Sequence, residues 1–411
     1  MASVVHIMER YEPGSGLKKA LAMSRTEVIR LVRESGIRGR GGAGFPTAVK
    51  WNLCAAAQAP KKFIVANADE GEPGTFKDRL LLTERPEALF DGITIGGHAI
   101  GARLGVIYLR AEYNYMRPGL EAALAERRKN KLLGKKVLGR DFEFDIEVRM
   151  GAGAYVCGEE TALIESLEGS RGEPRNRPPY PVNTGLAGAP TSVNNVETLI
   201  ACAHIVVKGP EWFRKFGTEV STGTKLLSVS GDCRRPGVYE VGFGTTVKDL
   251  LRLVEGEGAK AVQVGGASGR TVPARQFGRK LGFEDLATGG SIIVIGPERD
   301  MLDVAENFLD FFVEESCGQC TPCREGNPKL LEGVHLLKQG RCSINYLREL
   351  QALGRTMQVA SKCGLGQSSA NAFLDITEHF RSEILGRVPA TDQTPNAGLR
   401  SPNFGLRTSR E

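Results

Sequence analysis

Apolar positions recur along this chain with two different periods. Ser24 and Glu27 form a capping box ahead of a helix whose apolar face is Val28, Leu31 and Val32, and Gly36 closes it. Phe63 to Ala66 reads as a buried strand that ends at Asn67, Asp69 and Glu70. Val106 to Leu109 gives a second strand, followed by a helix near Leu120 to Arg127. Phe142 to Val148 alternates as a third strand and enters a glycine loop, Gly151 to Gly158. A helix over Thr161 to Leu167 follows, and another runs from after Asn194 and Asn195 to about Val207. Strands alternating with helices predict an α/β layer whose loops gather at the strand ends. Between them, residues 169–192 are rich in Pro and Gly and predict an ordered loop over that edge.

The pattern then changes. Leu226 to Ser230, Val238 to Val241, a helix near Val247 to Val254, and Val262 to Val264 predict a small ββαβ unit, to which Ile292 to Ile295 adds a strand. From Asp300 the chain reads as helices over 301–315, 328–339, 344–358 and 368–381, a small bundle. The expected division is therefore 1–219, 220–298 and 299–385, with a disordered tail at 386–411 that is poor in apolar residues.

Composition narrows the function classes. The 54 basic residues face 48 acidic ones, a net charge of +6 without a basic stripe, so nucleic-acid binding is not indicated. No window of 18 apolar residues predicts a membrane-spanning helix. Residues 1–13 do not read as a signal peptide, because His6, Glu9 and Arg10 interrupt a short apolar stretch. Nine cysteines in such a chain are expected to be reduced, in the cytoplasm, and the clustered ones to be metal ligands rather than disulfides.

The chemistry concentrates in four places. Cys317, Cys320 and Cys323 form C-x-x-C-x-x-C, with a distant fourth thiol at Cys342 or Cys363. Three close thiolates and one remote partner is the pattern of a [4Fe-4S] cluster, whereas zinc more usually takes two separate C-x-x-C pairs. Gly39 to Gly44 spells G-x-G-x-x-G, but after a helix where a dinucleotide fingerprint needs a strand. Its free N–H groups, with the charges of Arg38, Arg40 and Lys50, still suit a phosphate. The turn Asn67 to Gly74 offers three carboxylates and an amide for sugar or ribityl hydroxyls, or is simply a solvated acidic turn. Gly151 to Gly158 opens a helix that begins at Glu159 and Glu160, where N–H groups face an anion or a ring edge. Asn194 and Asn195 are either helix caps or hydrogen-bonding partners of a ring.

Together, Ile37 to Phe45, Asn67 to Arg79, Gly151 to Thr161, Ser192 to Thr198 and Glu315 to Gly326 closely resemble the NADH-binding flavoprotein subunit of respiratory complex I and its soluble relatives. The resemblance implies an α/β fold with a Rossmann-like FMN domain, a small ubiquitin-like β-grasp domain and a C-terminal four-helix bundle holding the cluster. It implies FMN contacts at Gly39, Arg40, Gly41, Lys50, Asn67, Asp69, Gly158, Glu159, Asn194 and Asn195. It implies NAD(H) contacts at Phe45, Glu72, Glu160, Arg177 and Tyr180, and cluster ligation by Cys317, Cys320, Cys323 and Cys363. This chain has Leu53 and Tyr180 where the complex I pattern has Phe, Arg177 where it has Lys, and Gly71 where it has Ser. Ser230 to Cys233, Phe283 to Pro297 and Cys363 to Gly366 look more like the diaphorase subunits of NAD-reducing hydrogenases and NAD-dependent formate dehydrogenases. Such a subunit implies companion iron–sulfur chains, including a thioredoxin-like [2Fe-2S] module. A non-catalytic iron–sulfur or zinc scaffold is the rival class.

Overall fold

The structure is a computed structural model that describes residues 4–389. Of the tail expected at 386–411, residues 390–411 lie outside the described residues. Val388 is buried, so the fold extends at least that far.

Four parallel strands form the first sheet: β1 Phe63–Ala68, β2 Leu104–Leu109, β3 Asp145–Met150 and β4 Thr191–Asn195, in the order β3-β2-β1-β4. Side chains alternate between its faces. Ile64, Ala66, Ile107 and Leu109 enter one core with the helices Pro86–Ile100 and Val196–Lys208. Val65, Val106 and Tyr108 enter a second core, which continues into the C-terminal helices. A parallel sheet covered on both faces explains why its strands read as apolar runs. Because all four strands run one way, their C-terminal ends lie along one edge.

Five further strands, β5 Thr224–Gly231, β6 Gly237–Gly242, β7 Ala261–Val264, β8 Arg270–Pro273 and β9 Ser291–Ile295, form a mixed sheet in the order β6-β5-β9-β7-β8. Its first and last strands, β5 and β9, pair in parallel, as in a ubiquitin-like β-grasp sheet. The helix Val247–Leu253 packs on it and gives the sheet its own core. The C-terminal region comprises Met301–Glu315, Thr321–Lys338, Ile344–Ala360 and the broken run Gly364–Ser368, Asn371–His379, Arg381–Leu385.

Several elements differ from the sequence expectation. The helix expected at 368–381 is divided into three short ones. Helices at Ser15–Ala20, Thr47–Ala56, Lys77–Glu84 and Pro86–Ile100 were not expected. Twelve residues of the last are buried, so it carries no polar stripe from which a helical period could be read. Thr191–Asn195 is a strand as well as the lead-in to a helix, and Asn195 is the N-cap, accepting from the Glu197 N–H at 3.0 Å. The 169–192 loop is ordered by Arg175, which donates to Glu165, to Glu168 at 2.6 Å and to the Gly185 carbonyl at 3.1 Å.

The two sheets are joined by a buried charge group. Glu197, fully buried, pairs with Lys77 at 2.9 Å and with Lys225 on β5. Burial lowers Lys225 to about 7 despite the opposing pull of Glu197. Burial works against Lys77 as well, but Asp78, Glu197 and Glu70 outweigh it and raise its pKa.

His204 lies in the first core, 1% exposed, with Nε2 unpartnered. Burial, aided by Lys208, lowers it to about 3. Below its unfolded value of about 6.5 the unfolded chain takes up the proton and the folded chain does not, so this contribution is present above 6.5 and is lost as pH falls. Wild type should lose roughly 2 kcal/mol more than His204→Gln between pH 7 and pH 5. Urea unfolding of both proteins at the two pH values measures this, and parallel losses would refute it.

Candidate functional site

The C-terminal edge of the parallel sheet gathers the expected loops. At the end of β1, Asn67 Nδ2 donates to the Gly158 carbonyl at 2.9 Å, and Asn67 Oδ1 accepts from the Asp69 N–H at 3.0 Å. The acidic turn and the second glycine loop are thereby clamped together. Asp69 Oδ2 and Thr75 Oγ1 are sealed from solvent with no hydrogen-bond partner. Burial pushes Asp69 up to about 7, against the pull of Arg110. Gly158 faces Asp69, and a Cβ there would sit 3.9 Å from Oδ2.

The carboxylates of the turn divide in their work. Glu70 accepts from the Asp78 and Arg79 N–H groups at 2.6 and 3.0 Å and from the Tyr113 hydroxyl at 2.9 Å, so it braces the start of the helix Lys77–Glu84. Glu72 reaches across to the second sheet region, accepting from Ser268 Oγ at 2.6 Å and from the Tyr155 hydroxyl at 2.7 Å. Burial raises Glu72, and these donors oppose that rise.

Glu159 caps the helix Glu160–Leu167 by accepting from the Thr161 and Ala162 N–H groups at 2.9 and 3.0 Å. Its other oxygen lies 3.6 Å from Arg177. Glu160 pairs with Lys50 at 2.8 Å, and Lys50 also donates to the Val193 carbonyl. The expected phosphate lysine and the expected nucleotide carboxylate therefore touch. Asn195 donates to Asp78 at 2.7 Å. A Cβ on Gly41 would approach Asn195 Cβ to 3.3 Å, which places the first glycine loop against the Asn194–Asn195 segment.

Two expected ligands are committed elsewhere. Arg40 is 1% exposed; its guanidinium donates to the Thr222 carbonyl at 2.6 Å and stacks on Phe213 and Phe243. Even its N–H is taken, by Thr198 Oγ1 at 2.8 Å. The expectation that the Arg40 charge faces a phosphate is thus corrected: the side chain braces the loop from behind, where burial lowers it to about 10. Arg38 likewise donates to the Gly44 carbonyl at 2.6 Å and lies over the Phe283 ring. Asn194 accepts from the Trp51 indole at 3.1 Å and donates to Ser192, so it is held from within the fold. Trp51, Tyr155, Ser268 and Thr198 were missed by the sequence reading. Tyr155 had a signal, an aromatic inside a glycine loop; Ser268 had none, being 196 residues from its partner Glu72.

Phe45, Val49, Leu53 and Tyr180 are the exposed apolar side chains of this region, each between 41% and 51% exposed. Val49 and Leu53 share one face of the helix Thr47–Ala56. Such a patch beside polar loops suits a flat ring system.

Cys317, Cys320, Cys323 and Cys363 ring one cavity, with Pro174, Ser316, Gln319, Lys362 and Leu365. Cys342 is not among them; it is fully buried and contacts the Ser343 carbonyl. Among the described residues, no three Cys, His, Asp or Glu side chains are grouped to share a single metal ion. Four thiols around a space is the donor set of a cluster. A sealed acceptor at Asp69, a glycine facing it and an adjoining apolar patch likewise fit a flavin's hydroxyls and a nucleotide's rings.

Comparison with known proteins agrees with this geometry. Residues 32–204 match the Nuo51 FMN-binding domain, and residues 303–387 match the NADH-ubiquinone oxidoreductase-F iron-sulfur binding region. The chain belongs to the family of NADH-binding flavoprotein subunits and carries an FMN-binding domain and a [4Fe-4S] region. It is 48% identical over 395 residues to the alpha subunit of the NAD-reducing hydrogenase HoxS of Cupriavidus necator, a match covering 96% of this chain and 65% of that one. It is 39% identical over 398 residues to a subunit of the NADH-quinone oxidoreductase of Rhizobium meliloti, covering 93% and 94%. Its fold matches a chain of the NAD+-reducing [NiFe]-hydrogenase in the H2-reduced state with a TM-score of 0.87 at 43% identity, covering 92% of this chain and 65% of that chain. This chain therefore spans about two thirds of the hydrogenase subunits it resembles.

Proposed function

We propose that this chain is an NADH:acceptor oxidoreductase, or diaphorase, subunit that exchanges electrons between NAD(H) and partner subunits of a soluble NAD-dependent hydrogenase or formate dehydrogenase complex. The observation that carries this reading is the continuity of the two cofactor regions. The Tyr155 N–H, inside the second glycine loop, donates to Glu315 at 2.8 Å, two residues before Cys317. The identity to HoxS alpha supports the hydrogenase type; the match to the Rhizobium meliloti protein favours a second reading as the NADH dehydrogenase subunit of complex I. Among the described residues no helix is long and apolar enough to cross a membrane. A cytoplasmic setting and a thioredoxin-like [2Fe-2S] companion belong to the same proposal.

Bound here, FMN supplies the exchange between hydride and single-electron chemistry, and the [4Fe-4S] cluster a one-electron store. The residues contribute position rather than acid–base chemistry. Gly39, Gly41 and Lys50 take the phosphate end, with Arg40 supporting the loop. Asp69 and Asn67 take the ribityl hydroxyls, and Gly158, Glu159, Asn194 and Asn195 border the ring. Phe45, Leu53 and Tyr180 give the nucleotide rings an apolar surface, with Glu72 and Arg177 beside them. Purified protein should be yellow, release a flavin and reduce ferricyanide with NADH. A colourless, inactive but folded chain would support the scaffold reading instead.

We assign to Glu160, whose carboxylate pairs with Lys50 until nucleotide binds, the role of discriminating nucleotides. Its carboxylate accepts from free ribose hydroxyls and repels a 2′-phosphate. NADH should be preferred over NADPH, and Glu160→Ala should narrow the kcat/KM ratio roughly tenfold, about 1.4 kcal/mol. Equal use of both nucleotides by the unmodified protein would rule this role out.

A further inference from the structure

The four cysteines around the cavity are not equivalent. Cys323 and Cys363 are 5% and 6% exposed, while Cys317 and Cys320 are half-buried. Of the buried pair, Cys323 has side-chain hydrogen-bond partners. Cys323 Sγ lies 3.3 Å from Asn327 Nδ2 and 3.3 Å from Ser316 Oγ.

Asn327 is unusual for its surroundings. It is fully buried, and its Oδ1 has no partner. An amide left half-satisfied in a core costs stability that Leu in its place would not cost. Its position is set by the helix Thr321–Lys338, on which Asn327 stands four residues beyond Cys323 and on the same face. From the other side Gly366 closes in: a Cβ there would come within 2.9 Å of Cys323 Cβ and 2.7 Å of Ser361. The segment is thus built to hold one sulfur against one buried donor. A thiolate at Cys323 only accepts, so Ser316 must then donate as well.

We propose that Asn327 and Ser316 are positioning residues that hold the Cys323 thiolate and set the reduction potential of the cluster. The inference rests on the reading of these cysteines as cluster ligands. A cluster gains negative charge on reduction, and donors aimed at its sulfurs favour that state. Removing them makes the cluster harder to reduce.

The test is an EPR-monitored potentiometric titration of the full chain loaded with FMN and cluster. Asn327→Leu fills the same space without a donor, and Ser316→Ala removes one hydroxyl. Each should lower the equilibrium constant for one-electron reduction about tenfold, a shift of about 59 mV to lower potential. The double variant should fall further. Gln351→Leu removes a hydrogen bond to Thr377 within the bundle that touches no cysteine, and should leave the potential in place. Unchanged potentials in Asn327→Leu and Ser316→Ala at full iron content would overturn the proposal. If Asn327→Leu loses its iron, Ser316→Ala decides alone. Loss of iron from both would assign them to cluster retention and overturn it as well. Wild-type protein that binds no cluster would instead reject the ligand reading itself.

Discussion

Cys363→Ser should abolish the EPR signal of the reduced [4Fe-4S] cluster, and Cys342→Ser should leave it intact. By spacing alone, either thiol could follow the C-x-x-C-x-x-C run. Cys363 ends the turn after Ile344–Ala360, and its sulfur meets the cavity ringed by Cys317, Cys320 and Cys323. Cys342 lies in the apolar core between helices, its sulfur toward its neighbour's carbonyl. Removing one of four thiolates takes away a corner ligand of the cubane, so loss of the wild-type signal is the expected result. The same logic separates two activities. A Cys320→Ser protein that folds and keeps its flavin should still reduce ferricyanide with NADH, yet fail to deliver electrons to partner subunits. Flavin content must be matched between variants, because the cysteine segment also contacts the flavin loop through Glu315 and Tyr155. Normal coupled activity from a flavin-loaded Cys320→Ser protein would remove the cluster from the electron path.

The parts of this protein that were legible in its sequence are those fixed by local chemistry. The capping box at Ser24 and Glu27 forms as read, with the Ser24 N–H donating to Glu27 at 2.7 Å. The cysteine run and both glycine loops needed only spacing. The buried helix Pro86–Ile100 was invisible because every face is covered. Its glycines serve close packing, as at Gly97, where a Cβ would overlap the Phe144 ring. Arg40 misled because a basic residue in a glycine loop ordinarily faces an anion. Only the tertiary fold reveals the Thr222 carbonyl and the two phenylalanine rings that enclose it. Glu72 and Ser268 form a contact between two sheets that no local pattern could announce.

Loss of the flavin itself is the other large effect expected. Asp69→Ala and Lys50→Ala should each weaken FMN binding by roughly 1.5–3 kcal/mol, about ten- to a hundredfold, and lose ferricyanide and coupled activities together. Asp69 Oδ2 is a buried acceptor without a donor, the state a ribityl hydroxyl would relieve. Lys50 is a half-buried cation of the glycine-loop region that can exchange Glu160 for a phosphate, whereas Arg40 is buried. The pH dependence distinguishes the two residues. Burial holds Asp69 near 7 without ligand, and a hydroxyl donor favours its ionised form. Binding should therefore weaken as pH falls through 7, by about tenfold from pH 8 to pH 6 for a group titrating there. In Asp69→Asn that portion of the dependence should vanish, leaving only what the phosphate contributes. In Lys50→Ala it should persist at lower overall affinity. Flavin fluorescence titrations of the apoprotein at pH 6, 7 and 8 measure all three proteins. If Asp69→Asn keeps the wild-type slope, the acceptor lies elsewhere in the turn, and Thr75, whose buried hydroxyl is equally unpartnered, becomes the group to change next.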